Sequence, residues 1–402
     1  MQQHTYADPS SPLPLAQTYQ ELIPWWHDLS DAVRRELALL PITIDSSRFD
    51  VLVIGGGVAG LSAALSARAS GASVLLLEKE ASLGYGATGR NAGILSAGIN
   101  MGLAETLKGS AERTFWPQTT AILHRLIMEA TQENSLLQAR LTGSLSLAES
   151  KNAARTLTRE VKQRQAEGLQ AELWSAAQVK AHTAGRLNTQ RVLQAMWLPQ
   201  EGRIQPLTLL AHLARQARQS GVQLRGEAQV IACEERNTGA SRWHLTLSNG
   251  LHLQANSIIH AVGPTSEANA RIYALAFALD MPDTFPLFWD ASPYTYADYR
   301  PGNGRLGVSG GRYGHAGVTK KDERYFQTLK EAAQYWLPEL ASQEPRYRWA
   351  VDLSVTAQMV PQLRKLGDKA PGWAIEGLGS LGVLPGILLG ERAGKLVTEQ
   401  EN

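Results

Sequence analysis

One glycine-rich turn constrains the fold more than any other feature of the sequence. The turn contains Gly55, Gly57 and Gly60. It lies between the apolar run FDVLVI, which predicts a buried strand, and the small-residue run VAGLSAALSARAS, which predicts a helix. The first glycine permits a tight turn, the second lets backbone N–H groups approach a diphosphate, and the third lets the helix pack close to the strand. A strand, a turn and a helix in this order predict a dinucleotide-binding βαβ unit.

The residues beside the turn extend this prediction. Val58 and Ala59 start the helix, whose N-terminal N–H groups and dipole favour a phosphate. The run SVLLLEKE predicts a second buried strand that ends at Glu78 and Lys79. A carboxylate at the end of this strand accepts hydrogen bonds from the ribose hydroxyls of the adenosine. We therefore place Val58, Ala59, Glu78 and Lys79 at the dinucleotide.

Composition narrows the class of protein. The 402 residues exceed the size at which one core usually stops growing, so we predict two domains. The net charge is +2, and the basic residues are scattered, which argues against a nucleic-acid partner. Cys233 is the single cysteine, so internal disulfides are excluded and we expect no metal site. We find neither a signal peptide nor a transmembrane run, and we expect a cytoplasmic protein.

Residues 1–46 form a leader that precedes the βαβ unit. Its stretch ELIPWWHDLSDAVRRELALL has apolar residues near helical spacing, and we expect Trp25 and Trp26 to pack it onto the body of the protein. Docking of the two tryptophans on a membrane surface is the alternative, although the polar face is mixed in charge rather than basic. The leader is also a candidate docking element for a protein partner.

The rest of the chain alternates helical and strand patterns. We predict a helix over 101–139 with a break at Pro117, a strand over 141–149 and a charged helix over 151–168. Later elements are a helix that ends at Gly221, strands in VQLRGEAQVIAC, RWHLTLSNGLHLQA and NSIIHAVGP, short strands within 285–316 and a helix over 322–337.

The loop after the second strand bears on which dinucleotide is bound. The loop GYGATGRNAG, residues 84–93, follows at once where a nicotinamide dehydrogenase would usually continue with further βαβ units. Here the chain resembles the D-amino-acid oxidase-like flavoproteins, the family that includes glycine oxidase, sarcosine oxidase and gamma-glutamylputrescine oxidase. The resemblance implies noncovalent FAD in a Rossmann-like α/β domain of the glutathione-reductase βαβ type, with a second, mixed α+β substrate domain.

The resemblance runs through most of the chain and implies FAD contacts at matching positions. GATGRNAG is similar to the family's G-A-S-G-R-N-x-G loop, GRIQPLTLL to the stretch before the adenine-lining strand, IIHAVGP to the strand that returns below the diphosphate, and GLGSLG to the closing glycine motif. The FAD contacts so implied are Thr88, Gly89, Arg90, Asn91, Ala92, Gly93, Val230, Gly263, Gly379, Leu381 and Gly382. The predicted FAD-binding domain comprises residues 47–140, 200–270 and 355–402, and the substrate domain comprises 141–199 and 271–354.

The substrate side departs from the family pattern. The family's α-amino-acid oxidases hold the substrate carboxylate with an arginine shortly after a W-x-G-like segment. In the corresponding stretch from Trp349, Leu353 stands where that arginine would be, and Gln358 replaces the acid usual in the amine-oxidising branch. A simple glycine or D-amino acid substrate is therefore disfavoured, although another arginine could serve.

The candidate catalytic residues are Tyr294, Tyr296 and Arg312. Strand side chains alternate, so Tyr294 and Tyr296 share a face that could present phenol hydroxyls to the substrate, and Arg312 could reach the flavin or an anionic group. Packing of the tyrosines in a core, and a structural role for Arg312 and His315, are the competing interpretations.

Four further residues are predicted to have no catalytic role. We expect the isolated acids Asp290, Asp298 and Asp352 to be solvated surface groups. Cys233 lies in a predicted strand, and we expect a buried small hydrophobe rather than a thiol linked to the flavin.

The resemblance implies oxidation of a C–N bond. A neutral amine or amino acid would give a hydride from its α carbon to the flavin, water would hydrolyse the resulting imine, and O2 would reoxidise the flavin to give H2O2. No protein base is strictly required. The alternatives are a dehydrogenase with another electron acceptor, a hydroxy-acid substrate, a flavoprotein that modifies a peptide or other macromolecule, and a module that keeps FAD for structure alone.

Overall fold

A computed structural model describes most of the chain. The described residues are 23–43, 47–97, 115–236, 242–263, 268–290, 297–355 and 360–399, without the side chains of residues 311 and 312. Within these ranges the chain forms eight α-helices: α1 (Asp31–Leu37), α2 (Val58–Ala69), α3 (Phe115–Ala130), α4 (Lys151–Ala166), α5 (Ala176–His182), α6 (Pro206–Gln219), α7 (Asp322–Trp336) and α8 (Val383–Glu399).

The strands of the same ranges number twenty. They are β1 (Leu40–Pro41), β2 (Arg48–Ile54), β3 (Val74–Leu77), β4 (Ile94–Leu95), β5 (Ala139–Leu141), β6 (Ser144–Ala148), β7 (Glu172–Trp174), β8 (Gln194–Leu198), β9 (Gly202–Ile204), β10 (Gln223–Gly226), β11 (Val230–Glu235), β12 (Trp243–Leu247), β13 (His252–His260), β14 (Ala270–Ala278), β15 (Leu287–Asp290), β16 (Ala297–Pro301), β17 (Arg305–Gly314), β18 (Tyr347–Leu353), β19 (Gln362–Lys365) and β20 (Gly372–Glu376).

The first sheet contains the predicted βαβ unit. Strands β1, β10, β3, β2, β13 and β20 lie side by side in parallel, β12 and β11 extend β13 in antiparallel fashion, and β19 pairs with β20. Residues 51–54 of β2 and all of β3 are buried. Burial on both faces explains why these strands are continuous apolar runs rather than alternating ones.

Helix α8 packs against α2 at backbone distance. A Cβ atom added at Gly390 would lie 2.4 Å from the carbonyl oxygen of Ala59, and one at Gly394 would lie 2.5 Å from that of Ala63. Only glycine permits this approach, because any side chain would force the helices apart. The crossing holds the chain that precedes α8 close to the glycine-rich turn that precedes α2.

The second sheet has one face toward its own core and one toward the first domain. Its order is β18-β14-β17-β16-β15-β6-β8-β7, and all its neighbours are antiparallel except β15 and β6. Along β14, Tyr273, Leu275 and Phe277 pack in a core with α7, whereas Ala274 and Ala276 pack in the core of the first domain. This alternation follows from the two-residue period of a strand.

A small third sheet, in the order β4-β9-β5, joins the two parts. We propose that the boundaries between the predicted domains follow the two large sheets.

The described part of the leader is built into the protein. Trp25 is 1% exposed and Trp26 is 6% exposed, and β1 pairs with β10 at the edge of the first sheet. The prediction that the tryptophans pack on the body is therefore confirmed. The alternative, in which both insert into a membrane surface, is wrong for these side chains because neither is accessible.

Three predictions of secondary structure need correction. The predicted helix over 101–139 ends at Ala130, well before residue 139, and Pro117 stands in the first described turn of α3, so the predicted break there stays a prediction. Residues 98–114 of that prediction lie outside the described ranges. The run NSIIHAVGP is not a separate strand but the end of β13. Finally, we did not anticipate β14, since its apolar run shows little alternation in sequence.

A carboxylate fixes the chain that leads into β20. Glu235, at the end of β11, accepts hydrogen bonds from the backbone N–H groups of Asp368, Lys369 and Ala370 at 2.5 to 2.9 Å. Burial alone would raise the pKa of Glu235, but the three N–H donors outweigh it and hold the pKa below its usual range.

The substitution Glu235→Gln is expected to lower the free energy of unfolding by about 1–2 kcal/mol at neutral pH. Glutamine lacks the negative charge to which the three backbone N–H groups donate their hydrogen bonds. A depressed folded-state pKa contributes stability above the unfolded pKa of about 4.3 and loses it as pH falls. The difference between variant and wild type should therefore shrink in urea titrations carried out below about pH 4. A difference that is independent of pH would show that the charge of Glu235 is not what holds this chain.

Candidate active site

Two of the three glycines in the turn are required by the fold itself. Gly55 has φ of 105°, and a Cβ atom there would lie 2.4 Å from the carbonyl oxygen of Ala261. A Cβ at Gly60 would lie 1.9 Å from the carbonyl oxygen of Gly55. No side chain fits at either position without moving the backbone. These glycines bring β2, α2 and the chain after β13 into contact.

Gly57 differs from them because protein packing does not require a glycine there. Its φ of −77° is open to any residue, and the nearest atom to an added Cβ would be Thr88 Oγ1 at 3.2 Å. Gly57 is the N-cap of α2 and makes no side-chain cap. The space that a side chain would fill thus lies at the N-terminus of a helix, which favours a phosphate. The residues present fit a bound diphosphate.

Thr88 covers the same helix end. Its hydroxyl oxygen accepts a hydrogen bond from the N–H of Val58 at 3.2 Å, which leaves its own hydrogen free to donate to a phosphate oxygen. Ala59 follows Val58 in the first turn of α2 and is buried.

Glu78 is held at the end of β3 beside the turn. Its two carboxylate oxygens accept hydrogen bonds from the N–H groups of Gly56 at 2.8 Å and Glu80 at 3.2 Å. Burial raises the pKa of Glu78 above its usual range, and the two backbone donors oppose this rise. A carboxylate in this fixed position suits a ribose hydroxyl as its further partner. The neighbouring Lys79 is exposed.

Val230 and Gly263 lie on chains that adjoin this strand end. The N–H of Ala228 donates to the carbonyl oxygen of Glu78 at 2.9 Å, which brings the start of β11, with Val230, alongside. The N–H of Ala261 donates to the carbonyl oxygen of Ile54 at 2.8 Å, and Gly263 follows with φ of 72°. The start of β11 thus lies beside the end of β3 and Gly263 lies beside the turn, and the FAD contacts that the resemblance implies for Val230 and Gly263 stay predictions.

The loop after β3 is braced by Asn91. Its side-chain amide donates to the carbonyl oxygen of Thr88 at 2.5 Å, and its side-chain oxygen accepts from the N–H of Gly93 at 2.7 Å. Two indoles hold the loop from outside: Trp25 donates to the carbonyl oxygen of Asn91 and Trp349 to that of Arg90, both at 2.9 Å. One indole comes from the leader and the other from β18.

A buried arginine supports the end of this loop. Arg300 on β16 donates through Nε to the carbonyl oxygen of Gly93 at 3.2 Å and through Nη2 to that of Ile204 at 2.9 Å. Its guanidinium lies 4.5 Å from the centre of the Trp25 ring. Burial lowers the pKa of Arg300 to about 9, so the group is still charged at neutral pH. Nothing in the sequence singled out Arg300 for this role.

A cleft of about 650 Å³, a volume that includes its open mouth, lies between the two sheets. Three parts of the chain line it. The loop after β3 contributes Ala87, Arg90, Asn91, Ala92 and Ile94, and the loop before α8 contributes Gly379, Ser380 and Leu381 together with Val383. The second sheet contributes Ile272, Tyr273, Ala274, Asp298, Ser309, Trp349, Val351 and Leu353.

The register of the second sheet explains why these side chains meet. Asp298 of β16 pairs with Ser309 of β17, Ser309 pairs with Ala274 of β14, and Ala274 pairs with Trp349 of β18. Residues in direct register point to the same face of a sheet. They form one row across the floor of the cleft, which we call the Asp298–Trp349 row.

The loop before α8 closes the cleft from the opposite side. Val383, the first residue of α8, lines the cleft, so a helix N-terminus borders it and favours negative charge there. Gly379 has φ of 61°, and the carbonyl oxygen of Gly382 accepts from the N–H of Gly386 at 3.0 Å. The hydroxyls of Tyr313 and Ser380 lie 3.1 Å apart and connect this loop to β17.

Comparison with known proteins identifies the family to which this arrangement belongs. A family model described as DAO, FAD dependent oxidoreductase, matches residues 50–396. The chain belongs to this family. It is therefore an FAD-dependent oxidoreductase, and the predicted cofactor and family are confirmed.

Individual DAO relatives cover nearly the whole chain. A protein of Rhizobium meliloti (strain 1021), named Probable oxidoreductase OrdL, is 25% identical over an alignment 398 residues long that covers 95% of this chain and 90% of that protein. Glycine oxidase from Geobacillus kaustophilus has a TM-score of 0.72 at 19% identity and covers 88% of this chain and 95% of its own. L-proline dehydrogenase from P. horikoshii has a TM-score of 0.73 at 18% identity, and the match covers 90% of this chain and 95% of the dehydrogenase chain. These two structures confirm the predicted fold class.

Three acids of this DAO chain were expected to be solvated surface groups, and that prediction is wrong. Asp290 is 2% exposed and accepts hydrogen bonds from Tyr299 and Trp336. Asp352 forms an ion pair with Arg271 at 2.9 Å. Asp298 lines the cleft. Alternation puts Asp298 on the face opposite to Ala297 and Tyr299. The cleft lies on that face, which the sequence of one strand does not show.

The other predicted residues have mixed outcomes. Leu353 lines the cleft, so the position where some DAO enzymes carry an arginine does face the site. Cys233 is buried, and burial raises the pKa of its thiol to about 12, so the prediction of a small buried hydrophobe is confirmed. Tyr294, Tyr296 and Gln358 lie outside the described residues, as does the side chain of Arg312.

Across the described ranges, no helix of this DAO chain is both long and apolar enough to span a bilayer.

Proposed function

We propose that the protein oxidises a C–N bond of a small amine or amino acid, with amines preferred over simple α-amino acids. The observation that carries this proposal is the cleft between the loop after β3, the loop before α8 and the second sheet. It borders the chain segments that fit FAD, and its floor is mostly apolar. Such a cleft admits a neutral amine, from which a hydride can leave without a protein base.

The floor of the cleft argues against a carboxylate-bearing substrate. Leu353 and Val351 occupy the end of β18, where an arginine would otherwise hold a substrate carboxylate. Asp298 adds a carboxyl group to the same floor, and a second carboxylate would be repelled when Asp298 is ionised. The same reasoning disfavours the hydroxy-acid alternative.

The chain's own residues would bind the cofactor and shape the site. We propose that Gly55, Gly57, Val58, Ala59 and Gly60 hold the diphosphate and that Glu78, Lys79 and Val230 hold the adenosine. Gly263 would lie below the diphosphate, and Gly379, Leu381 and Gly382 would contact the flavin. The loop residues Thr88, Gly89, Arg90, Asn91, Ala92 and Gly93 would lie along the diphosphate and the flavin. Bound FAD supplies the two-electron acceptor for the reaction.

The protein also orients the substrate and limits access of water. Trp349 and Leu381 line the cleft from opposite sides, and the contact of Tyr313 with Ser380 closes its rim. We keep Tyr294 and Tyr296 as proposed substrate contacts by the alternation argument alone, and Arg312 because it follows two glycines and could reach the flavin or an anionic group. Hydrolysis of the product imine by water completes the proposed reaction.

O2 is the proposed electron acceptor, with H2O2 as its product. One structural neighbour is named an oxidase and another a dehydrogenase, so the acceptor is a separate question from the substrate.

Anaerobic reduction of the flavin tests the proposal directly. The purified holoenzyme is mixed without air with a panel of amines, amino acids and hydroxy acids, and the visible absorbance of the flavin is recorded. We expect amines to bleach the flavin and admission of air to restore it with release of H2O2. Bleaching by hydroxy acids alone would contradict the proposed substrate class. Bleaching by amines without H2O2 on reoxidation would instead indicate a dehydrogenase.

A further inference from the structure

The cleft contains a carboxyl group that the proposed reaction does not use. Asp298 stands in the middle of β16, between the buried residues Ala297 and Tyr299, and its side chain lines the cleft floor. It is the single acidic residue among the described residues that line the cleft. The hydroxyl of Ser309, on the strand paired with β16, donates to it at 3.3 Å, and Trp289 on β15 is a second donor.

The surroundings of Asp298 do not compensate a negative charge. Among the described side chains no Lys, Arg or His acts on its charge; the groups that do are Ser309, Trp289 and Asp290. The cleft floor beyond Ser309 is largely apolar, with Ile272 and Ala274 on β14 and Val351 and Leu353 on β18. An ionised carboxylate in such a place is costly unless a cation or several donors accompany it. Burial accordingly raises the pKa of Asp298 to about 7, with a further contribution from Asp290, while hydrogen bonds from Ser309 and Trp289 oppose the rise.

We infer that Asp298 and Ser309 form a subsite for a positively charged group of the substrate, separate from the nitrogen that is oxidised. This inference rests on the proposed amine oxidation and names the class of amine. The substrate is a molecule with a reacting amine at one end and a protonated amine, or another cation, at the other.

The reacting nitrogen is not the partner of Asp298 for a chemical reason. A hydride leaves the α carbon when the nitrogen is neutral and its lone pair is available. A carboxylate that paired with this nitrogen would stabilise the protonated form and oppose the reaction. A second, unreactive cation has no such conflict. It would serve as the counter-ion of Asp298, which the described residues do not supply.

The geometry of the floor fits a hydrocarbon spacer. The Asp298–Trp349 row crosses four adjacent strands, so three spacings of about 4.8 Å separate its ends by roughly 14 Å. Trp349 contacts the loop after β3 through Arg90, which is the side of the cleft that fits FAD. Between the two ends lies Ala274, whose small side chain leaves room for a methylene chain.

Matched pairs of amines test the subsite. Rate constants for anaerobic flavin reduction are measured with n-alkylamines and with α,ω-diaminoalkanes of equal chain length, on the wild-type holoenzyme and on Asp298→Asn, Asp298→Glu and Ser309→Ala. We expect the wild type to prefer the diamine of each pair. Asp298→Asn should lower the ratio of diamine to monoamine kcat/KM by about 10- to 100-fold, the range expected for a hydrogen bond to a charged group. Asp298→Glu should restore part of the ratio, and Ser309→Ala should lower it less.

The control variant is Asp280→Asn, which makes the same chemical change at an exposed position of the second domain. It should leave the ratio unchanged. A ratio that Asp298→Asn does not alter, with amines still reducing the flavin, would overturn the subsite and leave the proposed function standing.

A binding measurement separates the subsite from the reaction. An n-alkyltrimethylammonium ion has no lone pair on nitrogen and cannot be oxidised by hydride loss, so its affinity is measured by calorimetry. It should bind more tightly as pH rises through about 7, where Asp298 ionises, and should show no such rise with Asp298→Asn.

The other groups near Asp298 do not explain such a profile. Among the described side chains these are Asp290 on β15, Tyr299 on β16, Tyr313 on β17 and Arg90 on the facing loop. Burial raises the pKa of both tyrosines above the usual range for a phenol, so both stay neutral near pH 7. Asp290→Asn is a second control for the pH dependence.

The outcomes distinguish the two proposals. If no amine reduces the flavin but the quaternary ammonium ion binds through Asp298, the subsite stands and the proposed function fails. If neither reduction nor binding occurs, both are overturned.

Discussion

The substitution Gly57→Asp is expected to abolish FAD binding without loss of the fold. The backbone at this position is open to any residue, and an added Cβ meets only Thr88 Oγ1 at 3.2 Å. Aspartate is among the best N-cap residues, so the apoprotein should be as stable as the wild type or slightly more stable. The same carboxylate would occupy the place of the diphosphate and repel it, and we expect affinity for FAD to fall at least about 100-fold.

Two companion variants isolate the cause. Gly57→Asn has nearly the same size without the charge, so its smaller loss of affinity would measure the steric part alone. Gly60→Ala would place a Cβ atom 1.9 Å from the carbonyl oxygen of Gly55, and we expect it to destabilise the apoprotein. The measurements are the ratio of flavin to protein absorbance after purification and urea unfolding of the apoproteins. Purification of Gly57→Asp with a full complement of FAD would refute the assigned cradle.

The substitution Trp25→Ala is expected to lower the free energy of unfolding by about 3–5 kcal/mol, as is usual for the loss of a buried tryptophan. The side chain is 1% exposed and belongs to the core of the first domain. The variant would also remove the hydrogen bond to Asn91 and the ring beside Arg300. Because both contacts support the loop after β3, we expect FAD affinity to fall as well.

Trp336→Ala is the matched control for this prediction. Trp336 is also 1% exposed, but it belongs to the core between the second sheet and α7. Its loss should destabilise the protein to a similar degree and affect FAD affinity less. Trp25→Phe keeps most of the packing and removes only the indole N–H, so it should fall between wild type and Trp25→Ala. An equal loss of FAD affinity in Trp25→Ala and Trp336→Ala would show that Trp25 has no specific effect on the loop.

The βαβ unit could be predicted because its signals are local. Strand β2, the turn, helix α2 and strand β3 follow one another within residues 48–77, and each is marked by its own residues. Glu78 was predicted for the same reason, since it closes β3 directly. The loop at 84–93 and the glycines before α8 were found by resemblance to a family, and the structure brings both to one cleft.

The substrate side could not be predicted in the same way because its residues meet through register. Asp298 was taken for a surface acid, yet it is paired with Ser309, and the row continues to Ala274 and Trp349 over four strands that are not consecutive in sequence. Strand β14 was not anticipated at all. Without it, neither the row nor the face to which each residue points can be derived.

The sequence by itself predicted a dinucleotide at the glycine-rich turn, because a turn between a strand and a helix depends on residues next to one another in the chain, and its resemblance to a family gave FAD. Only the tertiary structure decided which glycines the packing of the backbone requires and which one it does not. A Cβ atom at Gly55 or Gly60 would meet backbone atoms of the turn and of the chain after β13, whereas one at Gly57 would meet only the Thr88 side chain at 3.2 Å. It also decided that Arg300, Trp25 and Asp298 belong to the site, because burial and strand register depend on segments that are distant in sequence.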